Sequence, residues 1–104
     1  MSKFHNVTLT AKANVYFDGK VTSRTFTLEN GETKTLGILL PGEYNFGTGK
    51  AELMEIQSGV CEVRQKGSDT WTRYDGGSAF NVPANSSFDI KALEVTDYIC
   101  SFIE

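Results

Sequence analysis

The chain is divided into short runs of strand-forming residues, with turn signals between them at intervals of about ten residues. The runs are rich in Val, Thr, Phe, Tyr and Ile, and no segment carries a helical hydrophobic period over three turns. The pairs Asp18-Gly19 and Asn30-Gly31 predict two-residue hairpin turns. The predicted strands span residues 13–17, 21–28, 34–40, 43–47, 51–58, 60–66, 70–74, 79–82, 87–92 and 96–103. Because many short antiparallel strands hide their edges by closing into a barrel or packing as two sheets, we expect an all-β fold.

Length and charge exclude several classes of protein. The 104 residues are enough for one domain, in which the polar residues 1–12 form an arm or an added edge strand. The net charge of −3 argues against a nucleic-acid partner, which requires a basic face. No apolar run is long enough to cross a membrane, and the N-terminus does not follow the signal-peptide pattern. We therefore expect a cytoplasmic protein, in which Cys61 and Cys100 are reduced and serve as small apolar core residues.

A first motif surrounds Glu52. Six residues separate Glu52 from Gly59, three separate it from Thr48, and Phe46 lies two positions before Thr48. This spacing resembles the first motif of cupins, in which two metal-binding histidines precede a glutamate and a glycine follows after six residues. Phe46 and Thr48 occupy the histidine positions, whereas the leading glycine of the motif is out of register at Gly42.

A second motif follows in the order that cupins use. Gly77, Pro83, Asn85 and Phe88 match its glycine, proline, turn and histidine positions, with Asn85 in place of a turn glycine. The two motifs together predict a single cupin-like, jelly-roll antiparallel β-barrel. Phenylalanine and threonine are not metal ligands, so we expect no metal and no other cofactor.

Four stretches carry a closer resemblance. Residues 16–21, 42–46, 52–59 and 77–83 resemble those of the small bacterial pyrimidine/purine nucleoside phosphorylases, and the similarity extends through residues 98–100. The resemblance implies a cytosolic homodimer that uses inorganic phosphate to cleave a broad set of nucleosides into free base and pentose 1-phosphate. The sequence departs from the family in its longer N-terminal arm and in Asn85, where a glycine is common.

Strand alternation predicts which side chains face the interior. If Glu52 and Phe88 point inward, side chains two residues away on the same strands point inward as well. Alternate residues of the predicted strand 43–47, and Thr48 after it, share a face that borders the same cavity. The predicted lining is Tyr44, Phe46, Thr48, Glu52, Met54 and Phe88, joined by Tyr98. The aromatic rings would stack on a nucleobase of either kind, although filling the core of the barrel is the simpler explanation for any single one of them.

The polar candidates have two interpretations each. Glu52 would bind ribose hydroxyls or stabilise a positive sugar, or else form a surface ion pair. Thr48, between Gly47 and Gly49, would belong to a phosphate-binding turn or to an ordinary tight turn. Arg24 is the candidate for phosphate, or a solvated strand arginine. Asn81 would contact the base or the phosphate, or serve only the turn chemistry beside the second motif.

Two further interpretations of the whole chain remain open from the sequence. The first is a non-enzymatic cupin-like module that binds a small anionic or aromatic ligand. The second is a metal-dependent cupin enzyme with unusual ligands, which Phe46 and Phe88 make difficult to build.

Overall fold

The computed structural model describes residues 2–103 and contains eleven strands in that range. Each of the ten predicted strands is present, with ends displaced by at most two residues. The strands are Thr8–Leu9 (β1), Asn14–Tyr16 (β2), Val21–Thr27 (β3), Thr33–Leu39 (β4), Gly42–Gly47 (β5), Ala51–Ser58 (β6), Val60–Gln65 (β7), Thr72–Asp75 (β8), Ala79–Val82 (β9), Ser87–Ala92 (β10) and Thr96–Ile103 (β11). The prediction of an all-β protein is confirmed.

The strands form two antiparallel sheets. The larger sheet has seven strands in the order β1-β3-β4-β11-β6-β9, and β2 is added to it through pairing with β3. The smaller sheet has four strands in the order β5-β10-β7-β8. Within residues 2–103, no strand is hydrogen-bonded into both sheets, so the predicted closed barrel is not confirmed. The fold hides its edges by packing two sheets together rather than by closing one sheet.

The core lies between the two sheets and follows from alternation along the strands. In β10, Phe88, Ile90 and Ala92 are buried, and the residues between them are not. In β6, Met54 and Ile56 are buried in the same way. Inward residues of both sheets therefore form one mostly apolar layer.

The turns agree with the sequence except at the first hairpin. Gly31 has a φ of 91°, and its backbone N–H donates to Leu28, as a tight hairpin turn requires. At the predicted Asp18-Gly19 turn the chain instead forms a short 3₁₀ turn, Phe17–Gly19. Phe17 has a φ of 52° there, so the turn includes one residue more than predicted.

The N-terminal segment lies against the larger sheet. Strand β1 pairs with the end of β3, and the ring of Phe4 packs 4.8 Å from the ring of Phe26. Residues 2–12 thus add a short edge strand and cover part of the outer face of that sheet, whereas Met1 lies outside the described residues. None of the helical segments in residues 2–103 has the length and apolar character that a membrane span requires.

Candidate active site

A cavity of about 330 Å³ lies between the two sheets, toward one end of the core. Both motifs identified in the sequence contribute to it. Its lining residues are Tyr16, Ser23, Thr35, Leu39, Phe46, Gly47, Gly49, Glu52, Met54, Phe88, Ile90, Tyr98, Cys100 and Phe102. This volume is at the small end of the range for ligand pockets, which suits a small molecule such as a nucleoside.

One side of the cavity is aromatic. Phe46 and Phe88 are directly paired across β5 and β10, and their rings stack with centroids 5.9 Å apart and an interplanar angle of 29°. Tyr16, from β2 in the other sheet, meets Phe46 edge-on at 5.8 Å. Such a set of rings offers flat apolar surface that is indifferent to the identity of a planar ligand.

The opposite side carries the acidic group. Glu52 projects from β6 on the same face as Met54, and its carboxyl group is hydrogen-bonded to the thiol of Cys100 on the adjacent β11. Loss of hydration in the half-buried site raises the pKa of Glu52, and the bond to Cys100 opposes part of that rise. The carboxyl group thus has one protein partner at the cavity wall.

Hydroxyl groups extend this polar wall across the larger sheet. Thr35 on β4 is hydrogen-bonded to Cys100, and Ser23 on β3 is hydrogen-bonded to Tyr98. Burial raises the pKa of Tyr98, whose side chain is only 7% exposed, so its hydroxyl group keeps its proton at neutral pH. The wall therefore combines a carboxylate acceptor with hydroxyl donors.

The structure brings together Phe46, Glu52, Phe88 and Tyr98, four of the residues that the sequence singled out. Met54, predicted from its parity with Glu52, lies with them. These side chains come from β5, β6, β10 and β11, so both sheets supply the site.

Two other predicted residues support the cavity from outside its lining. Tyr44 is buried behind it, where its hydroxyl donates to the carbonyl oxygen of Leu40 at 2.7 Å. The Thr48 hydroxyl donates to the Pro83 carbonyl oxygen at 2.7 Å and accepts the backbone N–H of Ser86 at 2.9 Å. Thr48 therefore joins the turns of the two motifs, and its hydroxyl is already engaged with protein groups.

Arg24 and Asn81 lie away from the cavity. Arg24 is exposed on the outer face of β3, where its Nε donates to the carbonyl oxygen of Ala11 at 3.1 Å. Asn81 is exposed between the buried Phe80 and Val82 of β9, and its carbonyl oxygen accepts a hydrogen bond from Gln65. Both side chains follow the outward parity of their strands.

The sequence alone left out several lining residues. Cys100 and Phe102 could have been found from Tyr98, because they follow it at intervals of two on β11 and share its face. Ser23 and Thr35 have no such signal, since their place in the cavity depends on how β3 and β4 pair with β11.

The described part of the chain contains no group of three or more His, Cys, Asp or Glu side chains that could hold a metal ion. Glu52 and Cys100 are the titratable groups of these types at the cavity, and burial raises the pKa of the Cys100 thiol.

Residues 11–102 match the family model described as pyrimidine/purine nucleoside phosphorylase. The chain belongs to this family. It is 57% identical over 103 residues to a pyrimidine/purine nucleoside phosphorylase from Geobacter sulfurreducens, with 99% of each chain covered. It is 56% identical over 103 residues to one from Clostridioides difficile, covering 99% of this chain and 98% of that one. The family resemblance inferred from the sequence is therefore confirmed. The expectation of a longer N-terminal arm is wrong, because the alignment covers 99% of each chain.

Solved structures agree with the fold. A protein of unknown function from Acinetobacter superposes with a TM-score of 0.94 at 42% identity, covering 97% of this chain and 98% of that one. The cupin domain of Cnp3 from Schizosaccharomyces pombe gives a TM-score of 0.65 at 18% identity, covering 88% and 69%. The cupin-like fold predicted from the two motifs is thus confirmed, although its sheets are not closed into a barrel.

Proposed function

We propose that the chain is a nucleoside phosphorylase of broad specificity, which converts purine and pyrimidine nucleosides and inorganic phosphate into free base and (deoxy)ribose 1-phosphate. The family name supports nucleosides and phosphate as substrates. The observation that carries the proposal is the division of one cavity into an aromatic wall and a polar wall, as a nucleoside itself is divided into base and sugar.

In the reaction proposed, the bond between C1′ and the base nitrogen breaks and a bond between C1′ and a phosphate oxygen forms. The proton of monohydrogen phosphate is transferred to the departing base, so atoms and charge balance. The sugar passes through a state with positive charge at C1′ and the ring oxygen, as in glycoside hydrolysis. A carboxylate fixed beside the sugar stabilises that charge more in the transition state than in the ground state.

Each wall has its own role in this proposal. Phe46 and Phe88, with Tyr16, hold the base by stacking, which accommodates purines and pyrimidines because every base has a flat face. Glu52 accepts hydrogen bonds from ribose hydroxyls and stabilises the positive sugar. We place the phosphate beside Gly47 and Gly49 of the cavity lining, where the lack of side chains lets an anion approach the backbone.

The test is phosphate-dependent release of base. Protein pretreated with EDTA is incubated with uridine or adenosine, with and without phosphate, and free base and ribose 1-phosphate are quantified. We expect both products only when phosphate is present. Base release that does not exceed that of a mock purification would refute the enzymatic proposal.

Glu52→Gln is the sharper test of the site. It retains the size of the side chain and removes its charge, so we expect kcat to fall by about 100-fold or more. Glu55→Gln is the matched control, because Glu55 lies on the same strand with the opposite parity and outside the cavity lining. Equal rates for the Glu52→Gln variant and the parent would remove Glu52 from the reaction.

A second candidate, a module that binds nucleosides without cleaving them, is favoured by one observation. Among residues 2–103, no arginine or lysine lines the cavity, and phosphate-binding sites commonly use such cations. This candidate predicts nucleoside binding without phosphate-dependent turnover, so the assay above separates it from the phosphorylase.

We also propose that the protein is a homodimer joined through the outer face of its larger sheet. Leu36 and Ile38 are 41% and 40% exposed there and border a groove that contains both Arg24 and Asp97. In an interface with two-fold symmetry, Arg24 of each copy can face Asp97 of the other, so the same patch is complementary to itself. A cytoplasmic location is consistent with the two cysteines, both free and buried.

A further inference from the structure

Tyr98 occupies a space that exists only because residue 37 is glycine. Gly37 on β4 is paired with Tyr98 on β11 at one side and with Ser23 on β3 at the other. A Cβ atom on Gly37 would collide with the ring of Tyr98, and it would also lie 2.7 Å from the carbonyl oxygen of Thr22. The phenol ring therefore crosses over β4, and its hydroxyl reaches Ser23 two strands away.

Ser23 is in turn held by Asn14 on β2. The side-chain nitrogen Nδ2 of Asn14 donates to Ser23 Oγ at 3.2 Å and to Thr25 Oγ1 at 3.1 Å. An amide nitrogen can only donate, so Ser23 Oγ accepts from Asn14 and keeps a hydrogen of its own that it can donate to the Tyr98 oxygen. When Tyr98 accepts that hydrogen, its own hydroxyl hydrogen is left for a group in the cavity that Tyr98 lines.

Glu52 faces the same cavity and lies near enough to Tyr98 to raise the pKa of the phenol through its charge. A ribose hydroxyl has one hydrogen to give and lone pairs that accept. It is fully satisfied when a carboxylate takes its hydrogen and a phenol donates to its oxygen. The sugar is also the part that purine and pyrimidine nucleosides share.

We propose that Asn14, Ser23 and Gly37 are positioning residues that hold the Tyr98 hydroxyl as a hydrogen-bond donor to the pentose of a bound nucleoside, opposite the acceptor Glu52. This inference rests on the proposed function for its ligand class but not on turnover. It assigns a role to three residues of strands β2, β3 and β4 that no motif in the sequence identifies, two of which, Asn14 and Gly37, do not line the cavity.

The test measures binding of uridine and of free uracil by calorimetry without phosphate, in the parent and in variants. Tyr98→Phe should weaken uridine binding about three- to tenfold, the value of one hydrogen bond, and should leave uracil binding unchanged. Tyr74→Phe is the matched control, because Tyr74 packs against Phe80 and does not line the cavity. A loss of uracil binding equal to that of uridine would overturn the assignment to the sugar.

The positioning role is tested by combining substitutions at Asn14 and Tyr98 and asking whether their effects on uridine binding add. Asn14→Leu keeps a similar volume and removes the donor to Ser23, so we expect weaker uridine binding in the parent background and no further loss in the Tyr98→Phe background. A full additional loss in the double variant would show that Asn14 acts independently of Tyr98 and would overturn the inference. Thr22→Ala, on the outward face of β3, controls for general effects on that strand.

Gly37→Ala is expected to displace Tyr98 and to reproduce the effect of Tyr98→Phe, with thermal melting to check that the variant folds. If Gly37→Ala does not fold, the comparison of Asn14→Leu in the parent and Tyr98→Phe backgrounds tests the positioning role by itself. Coupled loss of uridine binding in a protein without phosphorolysis would support this inference and refute the proposed function. Uridine binding that is unchanged in the variants of an active enzyme would overturn this inference and leave the proposed function standing.

Discussion

At the scale of single residues, the main feature is a carboxyl group in a mostly apolar cavity. Glu52 loses hydration by burial, and one hydrogen bond from Cys100 compensates for part of the loss. In the proposed reaction, this unfavourable desolvation in the free protein is offset when the carboxylate faces a positively charged sugar. The burial of this carboxylate should therefore reduce the stability of the fold.

The pH dependence of the free energy of unfolding tests the cost of burying Glu52. The pKa of Glu52 is higher in the folded chain than in the unfolded one, so the folded state binds more protons between the two values. The contribution of Glu52 to the free energy of unfolding therefore falls as pH rises through that window. Glu52→Gln should raise Tm at pH 7 by an amount on the order of 1–3 °C, and the difference should vanish at acidic pH. A Tm for Glu52→Gln below that of the parent at pH 7 would contradict this account.

Cys100 tunes the same group. Because its thiol hydrogen-bonds to the Glu52 carboxylate and lowers the pKa, Cys100→Ala should raise the pKa of Glu52 further. If activity requires the ionised carboxylate, the acidic limb of the kcat/KM profile moves to higher pH. Cys61→Ala is the control, because Cys61 is equally buried but lies outside the cavity lining. An acidic limb that stays in place in Cys100→Ala would exclude this coupling.

At the scale of elements, the turns hold the two sheets in register. Gly59, between β6 and β7, has a φ of 94°, and a Cβ atom there would lie 2.8 Å from Thr96 Cα and collide with the carbonyl oxygen of Val95. This is the glycine that closes the first cupin motif. It is required both by the backbone conformation and by the close approach of the segment that leads into β11.

Gly59→Ala should accordingly cost about 3 kcal/mol, because strain at positive φ and overpacking against backbone add together. Gly67→Ala is the matched control, with a φ of 81° but no atom within 4 Å of the added Cβ, and should cost about 1 kcal/mol. Chemical denaturation measures both values. Equal losses for the two variants would show that the contact with β11 is unimportant.

At the scale of the whole molecule, the two outer faces differ in character. The outer face of the smaller sheet is charged, with Arg64 bonded to Asp89 at 2.9 Å and both Arg64 and Lys91 over the ring of Trp71. The outer face of the larger sheet is apolar around Leu36 and Ile38. A charged face resists association with a second copy, whereas an apolar one favours it.

Oligomeric state tests this asymmetry. Light scattering coupled to size-exclusion chromatography should report a dimer for the parent and a monomer for Ile38→Lys, because a lysine inside the interface would lose hydration without a partner. Glu43→Lys places the same side chain on the exposed part of the smaller sheet and should leave the dimer intact. A monomeric parent, or a dimeric Ile38→Lys variant, would exclude the proposed interface.

The period of two along each strand determined much of the fold and part of the site. It predicted that Glu52 and Met54 share a face, and that Phe88 faces inward with Ile90. The motif spacings predicted Phe46, Glu52 and Phe88 as neighbours, and all three line one cavity. Motif positions indicate a backbone arrangement even where the usual ligand residues are replaced.

Only the tertiary structure decided how the strands meet. Thr48 is engaged with Pro83 and Ser86, and Tyr98 reaches Ser23 across Gly37. The separation into two sheets in place of a closed barrel is also a matter of pairing between distant strands. Alternation is a local property of the chain and can be read from its order. The contacts that complete the polar wall join β2, β3, β4 and β11, and their register is set by packing between residues far apart in sequence.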